Sequence, residues 1–268
     1  MPDLTQAHPR PLPQAGGEIR TEFLPGLGGA QLALHRLGEG RPVILLHGLF
    51  SSAEMNWIKF GHAQKLADAG FEALMPDLRA HGASAAPHDP ASYPPDVLVR
   101  DAVALVAHLG VTDYDLVGFS LGARTSAGAV LAGLTPRRLV LAGMGLRGLS
   151  GWSTRSPFFL DVIARFGTIR PGDPAYMAQQ FMKTMKIDPE AARLLLGSVQ
   201  DTAPTALARI AMPALVLCGA QDDDNGDPDA LVAALPDALR ATIPGTHMSS
   251  VTQPELGREL VSFLTGTD

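Results

Sequence analysis

Residues 114–123 read YDLVGFSLGA, and this stretch decides the fold. Its first half is an apolar run typical of a buried strand, and its second half opens a segment rich in small residues that predicts a helix over 121–133. Gly118 and Gly122 flank Ser120 at the junction. A serine in a tight strand-to-helix turn needs neighbours without bulk, and such a turn lifts the hydroxyl clear of the backbone. The pattern therefore predicts that Ser120 is a nucleophile at the carboxyl end of a strand.

The alternation of strand and helix continues on both sides of this turn. Short apolar runs bounded by glycine, proline or polar residues are typical of strands, and helical stretches lie between them. The predicted strands are 20–24, 30–36, 42–47, 71–76, 114–119, 137–143, 213–219 and 239–243. The predicted helices outside the segment 147–205 are 56–69, 94–109, 121–133, 228–235 and 251–265. This order predicts an α/β protein whose mostly parallel central sheet carries helices on both faces.

The alternation breaks between residues 147 and 205, where no strand-like run occurs. The helical segments predicted there are 157–166, 174–186 and 189–199, the last two beginning at Asp-Pro pairs. We expect 147–205 to form a helical cap over one end of the sheet, inserted into an α/β core made of 20–146 and 206–268. Residues 1–19 are rich in proline, glutamine and glycine, and they are predicted to form a flexible N-terminal arm.

Of the eight histidines, His247 is the best candidate for a general base. It follows strand 239–243 through a Pro-Gly-Thr turn, which places it at the sheet edge where α/β proteins have their sites. His47 ends strand 42–47 and is predicted to brace its loop. His81 and His88 lie in a polar loop and are weaker candidates.

A tetrahedral acyl intermediate needs two N–H donors aimed at its oxyanion. The tight sequence His47-Gly48-Leu49 closes one strand, and the helix after Ser120 points its positive end at the site. We therefore predict that the backbone amides of Leu49 and Leu121 form the oxyanion hole.

The acid that orients the histidine must come from another strand end. Strand 213–219 is followed by Asp222, Asp223 and Asp224, and the residues alone leave the register among these three open. No acid directly follows strand 137–143, because residues 144–146 read MGL. We therefore expect the acid to be one of the three aspartates.

Composition limits the possible partners. Hydrophobic residues make up 46% of the 268 positions, which is enough for a large core. A net charge of −6 without any basic run gives no reason to propose nucleic acid or a membrane surface as a partner. Without a bilayer-length apolar stretch or a secretory signal pattern, a cytoplasmic location is expected. The single cysteine, Cys218, lies in an apolar run and is predicted to be a packed core thiol.

The chain resembles the α/β-hydrolase superfamily over roughly residues 20–265. The motifs that carry the resemblance are LLHGLFSS (45–52), DLRAHGAS (77–84), GFSLG (118–122), LVLCGAQDDD (215–224) and PGTHMSS (244–250). The resemblance implies the order Ser, Asp, His, with Asp222 as the acid and Leu49 as an oxyanion donor. It also implies a short helical cap similar to that of carboxylesterases, enol-lactonases and perhydrolases. Ala80 and Ala123 stand where many relatives have glycine.

Ser120, His247 and Asp222 together predict a serine hydrolase that works through an acyl-enzyme, without a cofactor or metal. The preferred interpretation is a carboxylesterase for small to medium apolar esters. The expected substrate-binding residues are Phe50, Phe119, Trp152, Phe158, Phe159, Phe181 and Met248. Alternatives are a lactonase, thioesterase or C–C bond hydrolase with the same triad, or a weakly catalytic ligand-binding member of the fold. The sequence leaves the oligomeric state open.

Overall fold

The computed structural model describes residues 17–266, so most of the predicted N-terminal arm lies outside the described residues. The described part contains an eight-stranded sheet in the spatial order β1-β2-β4-β3-β5-β6-β7-β8. The strands are β1 (Arg20–Pro25), β2 (Gln31–Leu37), β3 (Arg41–Leu46), β4 (Phe71–Pro76), β5 (Asp115–Phe119), β6 (Leu139–Ala142), β7 (Ala214–Gly219) and β8 (Ala238–Ile243). β2 pairs antiparallel with β1 and β4, and the remaining pairs are parallel. The predicted mostly parallel α/β sheet is confirmed.

Helices cover both faces of this sheet. They are α1 (His62–Asp68), α2 (Val97–Leu109), α3 (Leu121–Leu131), α4 (Leu146–Ser150), α5 (Trp152–Ala164), α6 (Tyr176–Thr184), α7 (Pro189–Ser198), α8 (Pro228–Ala234), α9 (His247–Ser250) and α10 (Pro254–Thr265). Because strand side chains alternate between faces, Ile44 packs in the core under α2 and α3, whereas Val43 and Leu45 pack under α1 and α10. The central strands are therefore apolar on both sides, as the sequence predicts.

Helices α4 to α7, which we call the inserted helices, lie between β6 and β7 in the chain. They have an apolar core of their own, in which Val162, Met182 and Leu196 are fully or almost fully buried. Phe50, from the loop after β3, packs into the same cluster. The inserted helices are therefore held to the sheet domain through the loop that follows the first parallel strand.

Two of the differences from the predicted helix bounds have a clear local cause. The predicted helix 56–69 is divided into a π-helical turn, Glu54–Ile58, and α1, because Gly61 adopts a left-handed φ of 74° between them. The predicted helix 157–166 begins earlier, at Trp152, and keeps Pro157 inside it. The carboxylate of Asp201 accepts hydrogen bonds from the amides of the first two residues of α5, which stabilises this earlier start.

None of the described helices combines the length and apolar character needed to cross a bilayer.

Candidate active site

Ser120 occupies a strained turn between β5 and α3. Its backbone has φ 54° and ψ −112°, a conformation that L-residues rarely adopt. A Cβ at Gly118 would lie 2.2 Å from the carbonyl oxygen of Gly122, and a Cβ at Gly122 would lie 2.0 Å from that of Leu46. Only glycine fits at either position, so the spacing seen in the sequence is a steric requirement of this turn.

The structure brings Ser120, His247 and Asp222 into one hydrogen-bonded line. The hydroxyl of Ser120 lies 2.9 Å from Nε2 of His247, and Nδ1 of the same ring lies 2.9 Å from Oδ2 of Asp222. An ionised carboxylate can only accept hydrogen bonds, so Nδ1 carries the ring proton and donates a hydrogen bond to Asp222. Nε2 is then free to accept the hydroxyl proton of Ser120. The line has the geometry of a nucleophile, a general base and an orienting acid.

The geometry distinguishes among the three consecutive aspartates. Asp222 is buried and contacts the imidazole, whereas Asp223 and Asp224 are exposed. The amide of Asp222 donates to the carbonyl of Gly219, a turn that carries the chain from the end of β7 toward His247. The cap of α8 is Asp227, whose side chain accepts from the amide of Asp229, so neither exposed aspartate performs that role.

His247 is fixed by its own short helix and by an aromatic neighbour. Thr246 and Ser249 form a reciprocal capping box around the start of α9, where His247 is the first residue. The ring of Phe119 lies 5.1 Å from the imidazole, centre to centre. Gly143 follows β6, and a Cβ at that position would lie 3.1 Å from Cε1 of His247. The imidazole is therefore enclosed by the ends of β5, β6 and β8.

Leu49 and Leu121, whose amides are predicted to form the oxyanion hole, both lie at the cavity that contains Ser120. Leu121 is the first residue of α3. Within the described part of the chain, neither amide donates to a protein acceptor. Two free N–H groups beside a nucleophile can stabilise a tetrahedral oxyanion, and the dipole of α3 adds to the effect.

Two buried histidines hold the loop that carries Leu49. Nε2 of His47 accepts from the amide of Leu78 at 2.9 Å, and Nε2 of His81 accepts from the amide of Phe50 at 2.9 Å. Neither histidine contacts Ser120, so the prediction that His47 braces its loop fits these contacts. His81 has the same kind of contact, which the sequence analysis left open.

Burial sets the charge of these supporting groups. It lowers the pKa of His47, and it lowers the pKa of His81 to about 3, so both rings accept hydrogen bonds as neutral imidazoles. Burial acts to raise the pKa of Asp77, yet a hydrogen bond from His35, the nearby His47 and two backbone amides lower it to about 2. The loops next to the site are thus joined by one ionised carboxylate and two neutral rings.

Two cavities meet at Ser120. The larger has a volume of about 620 Å³, and the smaller has a volume of about 210 Å³. The predicted substrate-binding residues that line the larger cavity are Phe50, Trp152, Phe158, Phe159, Phe181 and Met248. Phe119 lines only the smaller cavity, next to Phe181 and Met248.

Three polar side chains line or support the larger cavity and were missed by the sequence analysis. Arg124 lies one helical turn after Ser120 on α3, a spacing that could have placed it near the site. Arg155 and Asn225 come from α5 and from the loop after Asp222, and their side chains hydrogen-bond to each other. No sequence signal joins these two positions, because they are 70 residues apart.

The Cys218 thiol and the carboxylates near His247 carry atoms that could bind a metal ion. Cys218 is buried, and burial raises the pKa of its thiol to about 11, which fits the predicted core role. Asp222, Asp224 and His247 each place one possible metal-ligand atom within 4.8 Å of the others. In the structure, however, both nitrogens of His247 already have hydrogen-bond partners, Asp222 and Ser120.

Comparison with known proteins gives the same fold. A family model described as alpha/beta hydrolase fold matches residues 41–143. The non-heme haloperoxidase of Rhodococcus erythropolis is 28% identical, and the match covers 90% of this chain and 98% of that protein. Epoxide hydrolase 2 of Siraitia grosvenorii is 35% identical over 96 residues, which are 29% of its length and 35% of this chain. The solved structure of a thermophilic esterase from Thermogutta terrifontis aligns with a TM-score of 0.75 at 22% identity, covering 92% of this chain and 98% of that one.

The matched family region contains the strand, turn and helix around Ser120, and the fold extends the similarity over nearly the whole chain. Fold and sequence together define a hydrolase of the α/β type. The chain therefore has the α/β-hydrolase fold, and its sequence is similar to that of proteins with this fold.

Proposed function

We propose that this protein is a carboxylic ester hydrolase that works through an acyl-enzyme on Ser120. The observation that carries the proposal is the line from the Ser120 hydroxyl through His247 to Asp222, with 2.9 Å at each hydrogen bond. The two free amides beside Ser120 support the same chemistry, because they would bind the oxyanion of an acyl-transfer intermediate.

The reaction would proceed in two halves. His247 Nε2 takes the hydroxyl proton as Ser120 Oγ attacks the ester carbonyl carbon, and the carbonyl oxygen becomes an oxyanion held by the amides of Leu49 and Leu121. The imidazolium then gives its proton to the leaving oxygen as the C–O bond breaks, and the alcohol is released. In the second half, His247 takes a proton from water as the water oxygen attacks the acyl carbon, and the imidazolium then returns this proton to Ser120 Oγ as the bond to the acyl carbon breaks and the acid leaves. Asp222 stabilises the imidazolium in both halves.

The shape of the site supports a small to medium substrate with a largely apolar body. We propose that the inserted helices act as a cap, because Trp152, Phe158 and Phe159 from α5 and Phe181 from α6 line the larger cavity. The smaller cavity would take the shorter part of the ester, next to Phe119 and Phe181. An apolar wall of this kind binds acyl or alkyl groups by excluding water.

The chemistry of the nucleophile argues against epoxide opening, although several relatives are named epoxide hydrolases. Attack of Ser120 on an epoxide carbon would leave an ether on the serine, and the site has no group that could release it by water. An ester or lactone carbonyl instead leaves an acyl-enzyme that water can hydrolyse. Lactones and thioesters, whose carbonyl also gives an acyl-enzyme, therefore remain the alternative substrates to test.

The test is turnover of p-nitrophenyl acetate and butyrate together with a panel of lactones and thioesters. We expect ester hydrolysis that a serine-directed phosphonate blocks, with the adduct on Ser120 by mass spectrometry. Ser120→Ala should lose turnover by at least about a thousandfold while keeping the melting temperature of the parent. Hydrolysis that survives in Ser120→Ala, or an adduct on another serine, would show that the proposal is wrong.

A further inference from the structure

Arg155 is a cation in the wall of the larger cavity whose hydrogen-bonding capacity is mostly unused. Its guanidinium carries five N–H donors, and within the described part of the chain the only side-chain or backbone acceptor for them is Oδ1 of Asn225. No carboxylate of that part forms an ion pair with it within 4.0 Å, although Asp224 and Asp222 are close enough to act on its charge and raise its pKa. Partial burial lowers the pKa of Arg155, although the group stays protonated at neutral pH. A desolvated cation with free donors is a binding site for an anion.

The position of Arg155 is fixed toward the reacting centre. Asn225 is buried, and its Nδ2 donates to the carbonyl of Gly143 at 2.7 Å, so its Oδ1 must face Arg155. Gly143 itself lies against the ring of His247. Two hydrogen bonds therefore join Arg155 to the strand end beside the imidazole. The guanidinium of Arg155 also lies over the ring of Phe159, with Cζ 5.6 Å from the ring centre.

The other charged side chains of the cavity wall are Arg124 and Asp224. Arg124 is buried and donates to the carbonyls of Gly148 and Gln200, so it adds positive charge but few free donors. Asp224 is exposed at the rim, and it is the one carboxylate that lines the cavity. Arg124 also lies 3.9 Å from the carboxylate of Asp201, so its charge is partly balanced, and Arg155 is the cation of the wall with free donors, inside a protein whose net charge is −6. A local positive site within an acidic protein favours an anion that is bound by contact rather than by the overall field.

We propose that the ester cleaved by this enzyme carries a carboxylate group, and that Arg155 binds this carboxylate in the larger cavity. The proposal rests on the esterase function proposed above and names its substrate class. The planar guanidinium and a carboxylate match in a bidentate geometry, which would hold the ester in one orientation against Ser120. The apolar residues around Arg155 would enclose the chain between the two groups.

The experiment compares substrates that differ only in this charge. One pair is p-nitrophenyl butyrate and mono-p-nitrophenyl succinate, which places the carboxylate on the acyl side. A second pair is 4-acetoxybenzoate and its methyl ester, which places it on the alcohol side. With spontaneous hydrolysis subtracted, we expect kcat/KM to favour the anionic member of at least one pair by tenfold or more. A charge-assisted hydrogen bond corresponds to a factor of about ten to a hundred.

Single substitutions test whether Arg155 itself causes the preference for the anionic substrate. Arg155→Gln should lower the anionic-to-neutral ratio at least about tenfold, and Arg155→Lys should retain part of the preference because it keeps the charge without the planar fork. Arg193→Gln is the matched control, since Arg193 is exposed on α7 and pairs with Glu190 away from the cavity, and it should leave the ratio unchanged. A parent enzyme without preference in either pair, or a preference that survives in Arg155→Gln, overturns the proposal.

A binding measurement keeps this result separate from the esterase proposal. Monomethyl glutarate should bind Ser120→Ala more tightly than dimethyl glutarate does, and the added Arg155→Gln change should remove the difference. If the parent cleaves none of the esters but this binding difference is present, the esterase proposal fails and the carboxylate site stands. If esters are cleaved and the binding difference is absent, the carboxylate site fails alone.

Discussion

Replacing Asp222 by asparagine tests the orienting role most directly. The change keeps the size of the side chain in a buried position but replaces an ionised acceptor with an amide. The asparagine can present its NH2 group to Nδ1 of His247, which favours the tautomer that carries its proton on Nε2. That tautomer cannot accept the proton of Ser120, so the nucleophile is not activated.

The distance between the two groups sets the size of the effect. Opposite charges 2.9 Å apart attract by about 6 kcal/mol at an effective dielectric constant of about 20. This is the upper limit of the electrostatic stabilisation that the imidazolium loses when the carboxylate is replaced. The amide dipole of asparagine replaces part of this attraction. With about 1.4 kcal/mol for each tenfold in rate, we expect kcat to fall by between about a hundredfold and ten-thousandfold.

The assay is steady-state hydrolysis of p-nitrophenyl butyrate, with Asp223→Asn and Asp224→Asn as matched controls from the same loop. Both control residues are exposed, and we expect each change to lower kcat by less than about fivefold. If Asp223→Asn or Asp224→Asn is the crippling change instead, the register of the acid is wrong. If all three variants keep full activity, the orienting acid lies elsewhere and the reasoning from this contact is refuted.

Two further predictions concern the cavity wall and the acid stability of the fold. Phe158 is 44% exposed, so Phe158→Ala should shift the preferred acyl length in a p-nitrophenyl ester series while lowering the melting temperature little. Phe159 packs between Phe50 and Trp152, so Phe159→Ala should change the preferred acyl length and also lower the melting temperature. If neither variant changes the preferred acyl length, both residues have a structural role only. Burial lowers the pKa of His81 from 6.5 to about 3, so between these pH values the unfolded chain binds a proton that the folded chain does not. Because of this histidine, the unfolding free energy should fall by about 1.4 kcal/mol for each unit of pH decrease in that range. Urea titrations at pH 7, 5.5 and 4.5 measure this dependence. The slope of unfolding free energy against pH should be shallower for His81→Gln than for the parent.

The sequence predicted the parts of the site that depend on local geometry. Gly118 and Gly122 are required by the turn itself, so the position of Ser120 could be predicted from the glycine spacing together with the strand before it and the helix after it. The choice of Asp222 needed family spacing, because the run of three aspartates has no local feature that selects one. Its contact with His247 is between residues 25 positions apart on different strand ends.

The features that the sequence analysis missed depend on tertiary contacts. Arg155 reaches the cavity because Asn225 accepts from it, and no periodicity links α5 to the loop after β7. The early start of α5 depends in the same way on Asp201, which is distant in sequence. The sequence shows where the polar and charged residues lie along the chain, but it does not show which of them line a cavity in the folded protein.

The two hydrogen bonds of Arg124 have a mechanical consequence. One guanidinium holds the carbonyl of Gly148, in the first of the inserted helices, and the carbonyl of Gln200, just after the last of them. The entry and the exit of the insertion are thus both joined to one side chain on α3, the helix that begins at the nucleophile. A rigid-body rotation of the inserted helices that keeps these two hydrogen bonds must have its axis close to Arg124. Opening of this kind would widen the mouth of the cavity most at its far rim, while the wall nearest Ser120 would hardly move.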